Sequence, residues 1–171
     1  MKEALEFWNN VLDEEEEINI EVTSVSLPSN ILARGGPKSL YHLKSGGFIQ
    51  FNVNAYARSW LDVTKHEIGH VLGIGLNENW TNAVRYRDGN YYLDSNIFQE
   101  TGAIYKRDYD GADDLIPLGD SAGHFSESVF GTELMTPYSN EGVRQPITDL
   151  TLTALQTMGW KVRMERAEEK N

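Results

Sequence analysis

Leu5, Trp8, Val11 and Leu12 recur at helical spacing, so the chain is expected to open on a helix over residues 2–12. The run Glu14-Glu15-Glu16-Glu17 follows as a solvated acidic turn. Ile18, Ile20, Val22, Val25 and Leu27 alternate with polar residues, with one slip, which predicts a strand ended by Pro28. Ile31-Leu32-Ala33 predicts a second short strand before the breaker Gly35-Gly36-Pro37. Over residues 48–54, Phe48, Gln50, Asn52 and Asn54 face one way and Ile49, Phe51 and Val53 the other, as in a half-buried strand. This strand is expected either to rim a cleft, offering an unpaired edge to an extended peptide, or to lie inside the sheet. Leu61, Ile68 and Leu72, with Val71 beside them, form one stripe of a helix that Ser59-x-x-Asp62 would start as a capping box.

Periodicity then fades over residues 74–123, where Asn90-Tyr91-Tyr92-Leu93 and Ala103-Ile104-Tyr105 are the candidate strands. A segment this long without a clear period is expected to shape a functional cleft. The last element is a helix with Leu152, Leu155 and Met158 at three-residue steps, capped by Thr148 or Asp149 and stopped by Gly159. Residues 161–171 are charged and aperiodic, and a frayed tail is expected there.

The helix after Ser59 carries the chemistry. His66 and His70 are four positions apart, so both imidazoles lie on one helix face and can reach one metal ion. Glu67 stands between them, placed to take a proton from water on the metal's open side without being a ligand. That combination is the arrangement of a metallopeptidase site. Gly73 permits the left-handed conformation that ends a helix and turns the chain, so a third ligand can return from outside it. Asp108, Asp110, Asp113 and Asp114 offer hard oxygen ligands, but their spacing departs from a calcium-binding loop, and Ca2+ is not expected.

Composition narrows the partners. With 171 residues, 40% of them hydrophobic, the chain is long enough for one sizeable core and a single domain. A formal net charge of -11 argues against nucleic acid or an anionic membrane surface. No run approaches the roughly 18 apolar residues of a membrane span. The absence of cysteine excludes disulfides and thiolate ligands for zinc. Residues 1–20 are acidic where a secretory signal would be basic and then apolar, so no such signal is expected in this chain.

Together these motifs resemble the metzincin class of zinc peptidases, and within it the leishmanolysin-like family. Metzincins carry two helix histidines and a glycine at the spacing of His66, His70 and Gly73. Most place a third histidine three residues after the glycine, where this chain has Leu76. Leishmanolysin-like enzymes interpose a long insertion, an arrangement that His124 in Gly123-His124-Phe125 would satisfy. Glu133-Leu134-Met135-Thr136-Pro137 resembles that family's methionine turn, and residues 150–160 resemble the helix after it. Tyr138, three residues after Met135, is not assigned as a ligand.

The resemblance implies an α+β zincin with an N-terminal mixed, twisted sheet, a backing helix and an active-site helix, and an irregular C-terminal subdomain ending in a helix. Its upper subdomain would span about residues 1–73 and its lower about 74–160. It implies one catalytic Zn2+ held by His66, His70 and His124, Glu67 as general base, and Met135 as an apolar floor beneath the metal. A peptide or protein substrate and a monomeric chain are expected, and the family leans towards secretion. Two other readings stay open. Glu100, Glu127 or Glu133 could supply a carboxylate third ligand, as in gluzincin peptidases, or the metal could merely tie together a binding module without turnover.

Overall fold

A computed structural model of the chain describes residues 1–137 and 143–164; Tyr138 lies outside the described residues. Helix α1 (Lys2–Val11) buries Ala4, Trp8 and Val11. Strands β1 (Ile20–Val25), β2 (Ala33–Pro37) and β3 (Gly47–Asn52) form a mixed sheet in the order β1-β3-β2, parallel at the first pairing and antiparallel at the second. The central strand is therefore β3, and the edge strand on the side of the cleft is β2. Of the two places expected for residues 48–54, the structure takes the interior one. The Gly35-Gly36-Pro37 breaker is itself part of β2. Its missing side chains let β2 lie against the next helix, because a Cβ at Gly35 would stand 2.6 Å from the Glu67 carbonyl oxygen.

That helix, α2 (Trp60–Val71), starts where Ser59 accepts a hydrogen bond from the Asp62 N–H at 3.2 Å. Two indoles clamp it in the core. Trp8 Nε1–H donates to the Lys65 carbonyl at 3.0 Å, and Trp160 Nε1–H to the Leu72 carbonyl at the helix C-terminus at 2.7 Å.

Residues 74–123 are more regular than their sequence pattern suggests. They hold α3 (Glu78–Ala83), β4 (Val84–Arg87), β5 (Asn90–Asp94), α4 (Gln99–Asp108) and β6 (Leu115–Pro117), with β4, β5 and β6 forming a second, antiparallel sheet. The β4–β5 hairpin turns on Asp88 and Gly89, at φ 52° and 83°, the Asp-Gly pairing that such turns favour. The strand expected at Ala103-Ile104-Tyr105 is instead the middle of α4. Thr101, Gly102 and Ile104 are its buried face, Ser95 sits where a Gly102 side chain would be, and Thr153 Oγ1 donates to Thr101 Oγ1 at 3.2 Å.

After the short α5 (Glu127–Phe130), α6 (Asp149–Met158) is capped by Thr148 and ended by Gly159 at φ 111°. The larger apolar cluster draws from both ends of the chain, joining Trp8, Ile49 and Ile68 to Leu93, Phe98 and Leu150. Of the tail expected to fray, residues 161–164 are docked, and residues 165–171 lie outside the described residues. Val162 pairs with Leu12, and the Arg163 guanidinium meets Asp13 at 2.6 Å. Among the described residues no helix is long and apolar enough to cross a membrane.

Candidate metal centre

Helical pitch brings His66 and His70 together on α2, and the turn after the helix does the rest. Gly73, at φ 106°, sends its N–H back to His70 O at 3.0 Å, while the Ile74 N–H reaches Gly69 O at 3.1 Å. The same reversal places the Ile74 carbonyl over His70, whose Nδ1–H donates to it at 2.8 Å. Gly75, at φ 80°, packs directly on the Gly123 backbone, so the chain leaving the helix touches the chain that brings in His124.

His124 arrives on a braced segment. Leu118, just past β6, bridges Phe125, and the Gly119 N–H donates to His124 O at 2.9 Å. Phe125 is fully buried with its ring 5.3 Å from that of Trp80, and Trp80 Nε1–H donates to Ala122 O at 3.0 Å. Residues 74–123 are thus the scaffold that delivers the third imidazole.

The three Nε2 atoms converge. His66 lies 3.1 Å from both His70 and His124, and His70 lies 3.0 Å from His124. Distance alone would make these hydrogen bonds, but for the His66–His70 pair chemistry does not. His66 Nδ1 points at the Leu134 carbonyl at 2.7 Å and His70 Nδ1 at the Ile74 carbonyl, so each Nδ1 must carry the proton. Their Nε2 atoms therefore face each other as lone pairs, an arrangement that a cation between them would satisfy. Burial first, then mutual repulsion, pushes the His66 pKa well below the ordinary imidazole value, and burial lowers that of His70. For His124, burial and then the nearby His70 lower it to about 3. Neutral imidazoles are the form that binds metal. Tetrahedral bonds of ~2.0–2.1 Å to nitrogen separate the ligand atoms by about 3.3 Å, close to the spacing here. Among the described residues, these three histidines are the group placed to hold a metal ion.

Glu67 is 6% exposed and shares the cleft with the three histidines. Burial pushes its carboxyl up to about 7 against the opposing hydrogen bond from the Gly35 N–H. The cleft, about 590 Å³, is walled by Leu32 and by Ala33 and Arg34 of β2 on one side and by Gly123, Thr136 and Pro137 on the other. Met135 is fully buried, and its Sδ occupies the space that a side chain at Gly69 would need, on the helix turn between His66 and His70.

Of the carboxylates considered as third ligand, Glu133 is turned away into hydrogen bonds with Met135 N–H and Thr151 Oγ1 at 2.6 Å each. Glu127 opens α5, and Glu100 lies exposed in the first turn of α4. Asp108 and Asp114 are paired with Arg107 and Lys106. Sequence reasoning missed the carbonyls of Leu134 and Ile74 and the Gly35 N–H, since backbone groups leave no residue-type signal. Ser121, with Oγ 3.5 Å from His124 Nδ1, was also missed. No protein-family model matches the chain, and a search of curated proteins found no match.

Proposed function

We propose that this chain is a zinc-dependent endopeptidase of the metzincin kind, arranged like the leishmanolysin-like enzymes. One observation carries the reading: three neutral imidazole nitrogens within 3.1 Å of one another line a cleft that also holds a buried glutamate. A zinc ion held by His66, His70 and His124 supplies Lewis acidity, polarising a peptide carbonyl and letting water lose a proton near neutral pH. A zinc site serving structure alone closes with four protein ligands, whereas three are available among the described residues. Leu134 O and Ile74 O hold two of the imidazoles in the tautomer that leaves Nε2 free.

The Glu67 carboxylate accepts a proton from water and returns it to the departing amine nitrogen. Burial raises its carboxyl to about 7 in the metal-free chain, and the charge of a zinc ion beside it would draw that value down towards the ionised form a general base needs. β2 runs along the cleft and, among the described residues, pairs only with β3. Its second edge is free to take an extended peptide as an added strand through main-chain hydrogen bonds. Glu67→Gln is expected to retain zinc and to lose peptide hydrolysis by ~10²-fold or more. Zinc content and turnover of a peptide library, measured on both proteins, check this; undiminished cleavage by the variant removes Glu67 from its role.

A further inference from the structure

Glu133 is 1% exposed, and both of its carboxylate oxygens are taken. Oε2 accepts the Met135 N–H at 2.6 Å. Oε1 accepts from Thr151 Oγ1 at 2.6 Å, from the Thr148 N–H at 3.3 Å and from Thr148 Oγ1 at 3.4 Å. Thr148 caps α6, so the carboxylate ties the turn at Met135 to the positive end of a helix that is itself locked in the core. The turn is also closed on itself, with Thr136 N–H and Oγ1 donating to Glu133 O at 3.1 and 2.8 Å.

What that turn touches gives the clamp its meaning. Leu134 O takes the His66 Nδ1–H. Met135 O accepts the N–H of Phe125, the residue after His124, at 3.0 Å, and Met135 Sδ packs on Gly69 between the two helix histidines. We infer that Glu133 is a positioning residue for the metal centre, its buried carboxylate fixing the turn that orients His66 and seats His124. The inference rests on the three histidines being metal ligands and does not require turnover. Glutamine keeps the shape but accepts on one side only, setting its NH2 against the Met135 N–H or the Thr148 N–H.

The test compares wild type with Glu133→Gln and Thr151→Val, each measured folded and well below its Tm. Zn2+ affinity is read by competition with a chromophoric chelator, and the geometry of the site by the visible absorption of bound Co2+. Zn2+ dissociation constants are expected to rise about 10–100-fold in Glu133→Gln and by a smaller factor in Thr151→Val, with the Co2+ bands displaced. Variants that lose Tm yet bind both metals as wild type does overturn the inference, since a purely structural role predicts that result. If Glu133→Gln does not fold, Thr151→Val decides on the same two readouts. A wild-type protein that binds no Zn2+ removes the metal reading and this inference with it, whereas one that binds Zn2+ but cleaves no peptide removes only the peptidase.

Discussion

Burial raises the carboxyls of Glu67 and Glu133 alike, each to about 7, and what faces them separates their roles. Glu67 opens on the cleft with a backbone N–H beside it. Glu133 has donors on both oxygens and is shut in the core at 1% exposed, which suits it to bracing the turn rather than to transferring protons. Its titration has a sign that can be checked. Because the folded value is raised from 4.5, the folded chain keeps a proton that the unfolded chain releases between pH 4.5 and about 7. The stability so gained is complete at the acid end and is lost as pH rises through that window, by about 3 kcal/mol in total. Glu133→Gln cannot titrate. In the zinc-free protein, urea unfolding of wild type relative to the variant should therefore weaken by that order across the window, and a flat difference contradicts the assignment.

At the scale of elements, the site depends on α2 and the chain that meets it after Gly73. Gly75→Ala would set a Cβ 2.8 Å from the Gly123 carbonyl carbon at a φ of 80°. Gly89, at φ 83° in the β4–β5 hairpin, has nothing within 4 Å. Both alanine variants should lose ~1–3 kcal/mol to backbone strain, but only Gly75→Ala should also weaken Zn2+ binding by displacing His124. Unfolding curves and Zn2+ titrations on the pair separate the effects, and equal zinc affinity in both would show that Gly75 does not seat the third ligand.

Legibility in the sequence follows the range over which each interaction acts. Helices α1, α2 and α6 and strand β3 were readable because apolar period and caps are local. So was the pairing of His66 with His70, set by helical pitch. The second sheet was legible only at Asn90-Tyr91-Tyr92-Leu93, the candidate strand that is β5. The middle of α4 passed for a strand because Ala103, Ile104 and Tyr105 stand in a row, while the helix's buried face depends on small groups, Thr101 and Gly102, that carry no apolar signal. His124 could be placed only by resemblance, since its approach depends on Trp80, Phe125 and Leu118 in a region without periodicity.

At the scale of the whole molecule, the two sheets and six helices of the described residues share a core in which the cleft separates β2 from the turn at Met135. The edge strand, the helix histidines and the returning histidine come from three stretches of chain, so the site exists only when the whole is folded. Metal and fold should then be linked: bound zinc stabilises the folded form by mass action. The most direct test is to titrate Zn2+ into wild type and His124→Ala, with folding verified by circular dichroism. The expected result is one zinc per wild-type chain and a loss of ~10²-fold or more in affinity when the third imidazole is removed. A wild-type chain that takes up no zinc, or a folded His124→Ala that binds it as tightly as wild type, contradicts the three-histidine centre.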